Sequence, residues 1–201
     1  MFVDTHAHLD DGQFPDIEAV LTAAHDAGVT RVVNIGYGPK RWRSTIELAQ
    51  RYPDIAFTLG LHPSEANQFT PDISDELGRL LTAEPAVGIG EAGIDLFHDG
   101  PALEQQQTAF DFQIQLALER GLPLVIHQRA AEREVYDQLA AADPSLRVIL
   151  HSFDASQTML DLAVDRGWFI GVGGLMSRPS ASAVRAVLAD APLERLILET
   201  D

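Results

Sequence analysis

No cysteine occurs in the 201 residues, which excludes disulfides and thiolate metal ligands and leaves the redox compartment open. Positive charge is scarce: 14 Lys and Arg stand against 30 Asp and Glu, giving a formal net charge of −16. Such a chain does not coat nucleic acid or an anionic membrane by bulk electrostatics. A phosphate-bearing substrate would need local help, and a bound divalent cation can supply the largest local positive charge. A metal-free nuclease is therefore disfavoured. No apolar run approaches the ~18 residues that mark a membrane span, and no signal-peptide pattern precedes the first apolar run, so a cytoplasmic protein with no membrane partner is expected. With 46% hydrophobic and 22% charged residues, the sequence fits one domain over residues 1–201 with a sizeable core.

What is present is organised around Val3-Asp4-Thr5-His6-Ala7-His8-Leu9-Asp10. Phe2 to Asp4 is a short apolar run suited to a strand, and alternate residues of an extended chain point the same way. His6 and His8 would face one side together, as two neutral imidazoles able to grip a first-row divalent ion. Alone, the pair reads equally well as two ordinary histidines near a terminus.

The rest of the chain supplies a scaffold. Strands are expected at Val29 to Ile35, Ile55 to Leu61, Val87 to Gly90, Leu122 to Ile126, Leu146 to Leu150, Trp168 to Val172 and Leu196 to Leu198. Between them, helical spacing of apolar residues marks Asp16 to Ala27, Trp42 to Tyr52, Ile73 to Ala83, Leu103 to Arg120, Glu132 to Ala142, Met159 to Arg166 and Ser180 to Ala189. Continuous apolar strands alternating with helices indicate a parallel sheet covered by helices. Eight such strands suggest an α/β fold of the (β/α)8 TIM-barrel type. An open doubly wound sheet is the competing architecture, but no Gly-x-Gly-x-x-Gly turn follows the first strand. The barrel is expected to lack its C-terminal helix, leaving apolar surface exposed between strands eight and one.

In a barrel the active site lies at the C-terminal ends of the strands. Strand one ends in His6 and His8, strand three in His62, strand four in Glu91, strand five in His127, strand six in His151 and strand eight in Asp201. Each has an ordinary structural role open to it, but as a set they converge on one mouth. His25 lies mid-helix and is left out; His98 sits in a loop beyond strand four, outside the ligand set. Six ligand groups exceed one tetrahedral zinc and suit two ions sharing a carboxylate or hydroxide. Lys40, the only lysine, lies in the loop after strand two and cannot serve as a modified bridging lysine. Glu91 is the expected bridge.

These residues resemble the TatD-type metal-dependent hydrolases of the amidohydrolase-like superfamily. The resemblance runs through Val3-Asp4-Thr5-His6-Ala7-His8, Gly60-Leu61-His62-Pro63, Gly90-Glu91-Ala92-Gly93-Ile94-Asp95, Ile126-His127-Gln128-Arg129, His151-Ser152-Phe153 and Glu199-Thr200-Asp201. It implies that His6, His8, Glu91 and Asp201 hold one ion, and that Glu91, His127 and His151 hold the other. It also implies phosphodiester hydrolysis on DNA ends, as an exonuclease. Leu96, Gln128 and Ser152 depart from the residues common in the family, which bears on the substrate pocket and spares the ligands.

Chemically, water held by two divalent ions (zinc, magnesium or manganese) loses a proton near neutral pH. Asp201 is the expected acceptor, with Glu91 as the other catalytic carboxylate. His62 and Arg129 are the expected phosphate contacts, a guanidinium fork being suited to phosphate oxygens. Arg129 has an ion pair with Glu132 or Glu134 as its alternative. The stretch Pro39-Lys40-Arg41-Trp42-Arg43 reads either as a nucleic-acid contact or as a first helical turn with Trp42 packed inward. Two other functions stay open: hydrolysis of a small ester, lactone or amide by the same ions, and an inactive metal-binding or interaction module with an incomplete barrel.

Overall fold

The computed structural model describes residues 1–201. Strands β1 (Phe2–Ala7), β2 (Val29–Gly36), β3 (Ile55–Leu59), β4 (Ala86–Asp95), β5 (Leu124–Arg129), β6 (Val148–Leu150), β7 (Phe169–Val172) and β8 (Leu196–Leu198) form one parallel sheet in sequential order. The crossovers are α1 (Ile17–Asp26), α2 (Pro39–Arg51), α3 (Pro71–Leu80), α4 (Leu103–Arg120), α5 (Glu132–Ala141), α6 (Gln157–Asp165) and α7 (Ser182–Leu188). Sequential order without reversal is that of a (β/α)8 barrel rather than of a doubly wound sheet. No helix is long and apolar enough to cross a membrane.

Local chemistry sets the boundaries. Asp16 caps α1 by accepting the backbone N–H of Ala19 at 2.9 Å, one of the amides a helix start leaves unpaired. Pro39 opens α2 three residues before the expected start, as a ring that fixes φ and has no N–H to waste. That placement makes Lys40, Arg41 and Trp42 a first helical turn. Trp42 is fully buried and its indole N–H donates to Gly60 O at 2.9 Å, so the inward-packing reading of this stretch holds for the ring. The guanidinium of Arg41 donates to the carbonyls of Asp10 and Asp11, and Arg43 pairs with Glu76.

Strands bury both faces, as parallel strands beneath helices do: Phe57, Leu59, Ile89, Leu124 and Ile170 are inaccessible to solvent. Closure between β8 and β1 is different in kind. No ladder pairing joins them; instead Thr5 Oγ1 donates to Leu198 O at 3.0 Å and Asp201 N to His6 O at 2.9 Å. Buried Asp4 accepts from both the backbone N–H and the hydroxyl of Thr200, at 3.0 and 2.6 Å. The carboxylate thus clasps the seam and delivers Asp201 beside His6. Phe2, Val3 and Leu198 are about half exposed here.

Candidate metal centre

The strand ends bring the histidines and carboxylates to one mouth, around a cavity of ≈ 270 Å³ lined by His8, Tyr37, His62, Glu91, His127, His151 and Asp201, with Ser64. His6 and His8 project together from the end of β1, their Nε2 atoms 3.3 Å apart. The loop carrying His8 is fixed from behind. Asn34 on β2 accepts the N–H of Leu9 at 2.6 Å and donates to Asp10 Oδ1 at 2.9 Å, while Asp10 Oδ2 accepts from Ser44 and Thr45 of α2. Asp201 enters from β8, with Oδ1 3.8 Å from His6 Nε2 and 3.7 Å from His8 Nε2.

Glu91 stands at the centre and is almost wholly buried. Its Oε2 faces His6 Nε2 at 3.6 Å; its Oε1 lies 2.8 Å from His127 Nδ1 and 3.1 Å from His151 Nε2. One carboxylate therefore looks in two directions. The segment that carries it continues as strand, since β4 runs to Asp95 rather than ending at Gly90. Crowding against β5 demands glycine here: Gly93 has φ +140°, and a Cβ on it would lie 2.0 Å from the carbonyl oxygen of His127.

Two further carboxylates lie against the imidazoles, and the sequence reading assigned neither a role. Asp95 Oδ2 accepts from His127 Nε2 at 3.0 Å and from His98 Nδ1 at 2.8 Å, while its Oδ1 accepts the backbone N–H groups of Phe97 and His98. A proton held on Nε2 leaves Nδ1 of a neutral His127 ring as the lone-pair nitrogen facing Glu91, the usual carboxylate–histidine–metal arrangement. Glu199, whose side chain is fully buried, places Oε1 3.5 Å from His151 Nδ1 and accepts the backbone N–H of Ser152 at 2.5 Å. A Cβ on Gly171 would meet the Glu199 carboxylate at 2.3 Å, so the glycine makes room for it. The available signal was spacing: Glu199 precedes Asp201 by two residues, and alternate residues of an extended chain share a face.

Electrostatics follow from this packing. Burial pushes the Glu91 carboxyl up, but His151, His127 and His6 together hold it well below the ordinary range. Burial likewise pushes His151 down, yet Glu91 and Glu199 prevail and raise it to about 10. His127 is raised against its burial by Glu91 and Asp95. Burial wins at His6, reinforced by His151, and its pKa is lowered. Burial also takes His62 down to about 4. His62 Nδ1 accepts the backbone N–H of Ser64 at 3.1 Å, so the neutral ring carries its proton on Nε2.

Arg129 corrects an expectation. It pairs with neither Glu132 nor Glu134; its Nη1 lies 3.8 Å from Asp154 Oδ2 and its guanidinium 5.2 Å over the ring of Phe97. Arg129 follows His127 by two residues on β5, and so faces the same side.

The description of a known family, TatD related DNase, matches residues 3–201. The chain belongs to that family. This TatD-family chain is 36% identical over 203 residues to a protein of Escherichia coli K12 named "Uncharacterized metal-dependent hydrolase YjjV", covering 100% of this chain and 78% of that one. It is 32% identical over 206 residues to a protein of Edwardsiella piscicida named "3'-5' ssDNA/RNA exonuclease TatD", covering 99% and 78%. The crystal structure of the E. coli YjjV protein superposes with a TM-score of 0.92 at 35% identity, over 100% of this chain and 78% of that one.

The donor set of the TatD-family chain fits divalent ions. Ligand atoms of His6, His8 and Asp201 lie within 4.8 Å of one another, as do those of His62, Glu91 and His127, and of His6, His151 and Glu199. Buried His6 Nδ1, His8 Nδ1, His151 Nδ1 and Glu199 Oε2 have no hydrogen-bond partner. Imidazole and carboxylate donors without thiolate suit zinc, manganese or magnesium.

Proposed function

We propose that this chain is a two-metal phosphodiesterase that removes nucleotides from the 3′ end of single-stranded nucleic acid. It is a metal-dependent hydrolase acting on ester bonds. The observation that carries the finer reading is the two-way placement of Glu91, one oxygen toward His6 and the other toward His127 and His151. In this reading His6, His8 and Asp201 hold one ion, His127 and His151 the other, and Glu91 is shared. Bound there, divalent ions acidify water and offset the charge that builds on phosphoryl oxygens.

The side chains divide the remaining work. Asp201 is part-exposed at the cavity edge, where it orients the attacking water and accepts its proton. His62, neutral at pH 7 and protonated on Nε2, donates to a phosphoryl oxygen without carrying a charge that would repel the ions. Arg129 is held by an exposed pair with Asp154 at 3.8 Å and by the Phe97 ring beneath its guanidinium, contacts of little strength that leave its N–H groups able to reach a phosphate. The names of the TatD exonucleases among the relatives support the substrate and the polarity.

The test is hydrolysis of 3′-labelled and 5′-labelled single-stranded oligonucleotides by metal-stripped protein, with zinc, manganese or magnesium restored separately. His6→Ala/His8→Ala serves as control, and a lactone and ester panel runs alongside. Metal-dependent shortening from the 3′ end, absent in the control, is the expected result. Turnover of the small esters without cleavage of either oligonucleotide would replace this reading.

A further inference from the structure

Phe97, which follows the C-terminal end of β4, is a large apolar side chain left exposed at 64% of its full area. Keeping a phenylalanine ring in water forgoes the stabilisation its burial would bring. Nor is its position loose. The Phe97 backbone N–H donates to Asp95 Oδ1 at 2.9 Å, and the preceding residue, Leu96, donates its N–H to Arg129 O at 2.9 Å. The segment therefore extends the β4–β5 pairing past the ladder, and Asp95, which also holds His127, anchors it. The ring is flanked by the Arg129 guanidinium at 5.2 Å on its face and by the His98 ring at 4.9 Å, edge-on at 85°. An exposed, rigidly mounted aromatic with a planar cation on its face is the composition of a surface that stacks nucleobases beside a phosphate.

We propose that Phe97 and Arg129 form a stacking shelf for a nucleobase of the bound strand, with the Phe97 ring taking the base and the guanidinium the adjoining phosphate. The proposal rests on the phosphodiesterase reading for its substrate and adds the subsite that grips the strand. It explains how a chain of net charge −16 retains a polyanion: stacking does not depend on bulk charge and works with every base. Recognition is accordingly of single strands, whose bases are free to leave their neighbours, and indifferent to sequence.

The experiment compares wild type, Phe97→Ala and Phe97→Trp on two metal-activated substrates: an oligonucleotide with an ordinary 3′-terminal pair of nucleotides, and one in which both are abasic. The readout is the ratio of kcat/KM between them. Stacking of one base is worth roughly 5- to 150-fold in binding, so wild type favours the base-bearing strand by about that factor through KM. Phe97→Ala is expected to collapse the ratio toward one, and Phe97→Trp to restore it. An unchanged ratio in Phe97→Ala overturns the shelf, as does an equal loss on both strands with no rescue by tryptophan. Equilibrium quenching of 2-aminopurine at the 3′-terminal positions is read in parallel. Wild type quenches and Phe97→Ala does not if the shelf exists; no quenching by wild type overturns it. If wild type cleaves neither strand, the phosphodiesterase reading fails, and the quenching result still decides the shelf.

Discussion

Asp95→Asn is close to isosteric and removes one charge, yet it sets four donors against a single acceptor oxygen. In the native chain one carboxylate oxygen accepts from His127 Nε2 and His98 Nδ1 at 3.0 and 2.8 Å, and the other accepts the N–H groups of Phe97 and His98 at 2.9 and 3.0 Å. An asparagine satisfies one side and turns its NH2 against the other. His98 is 67% exposed and finds water, whereas His127 is 17% exposed and bears the loss. A buried donor left unsatisfied costs about 1–3 kcal/mol, which corresponds to roughly 5- to 150-fold in affinity and overlaps the 10- to 100-fold typical of removing the partner of a metal-ligating histidine. Titration of metal-stripped protein against a competing fluorescent chelator is expected to show binding of the ion assigned to His127 weakened by that factor. His98→Ala, by contrast, changes it by less than about threefold, since an exposed hydrogen bond is readily replaced by water. If Asp95→Asn binds both ions within twofold of wild type, the orienting role assigned to Asp95 is wrong.

Gly93→Ala drives a Cβ to 2.0 Å from the His127 carbonyl at φ +140°; a loss of about 3 kcal/mol or more would lower the melting temperature by roughly 6–12 °C, read by thermal denaturation. Glu199→Gln removes an anionic neighbour of His151, so in metal-stripped protein the His151 pKa falls from its raised value of about 10, which histidine NMR titration follows directly. Because that pKa is raised on folding from an ordinary 6.5, its stabilising contribution in metal-stripped protein is complete below pH 6.5 and disappears as pH climbs to about 10, an alkaline decline that denaturation curves in the presence of chelator should show. The His151 proton must leave when ions bind, so calorimetric enthalpies at pH 7 differ between buffers of different ionisation enthalpy, and equal enthalpies would contradict the raised pKa of His151.

Alternation of apolar strands with helical periodicity was enough to read the barrel order, and α4 was bounded at Leu103 and Arg120, where the structure also bounds it. Failures share a cause. Gly90 to Asp95 looks like a loop because glycine and acidic residues are poor strand formers, but tertiary crowding against β5 requires glycine and the site requires the acids. Pro39 reads as a break in one register and as a helix start in another, which moved α2 by three residues. The candidate ligands were legible as histidines and carboxylates at strand ends. Asp95 was not, since what distinguishes an orienting carboxylate from a loop carboxylate is its contact with a ring nitrogen, and contact between β4 and β5 has no local sequence signal; Glu199 had only its spacing from Asp201 to mark it. The partners of Arg129, Asp154 and Phe97, lie on other elements and were out of reach of neighbour-based reasoning.

In the proposed centre Glu91 joins two ions. The most direct test is stepwise restoration of zinc or manganese to metal-stripped protein, with bound ions counted by elemental analysis and release of 3′-terminal nucleotides measured at each step. Two ions per chain are expected, with activity rising as the second is filled, and Glu91→Gln is expected to lose both the second ion and the activity. Saturation at one ion with full nucleotide release, or a Glu91→Gln variant that keeps two ions and full activity, would contradict this reading.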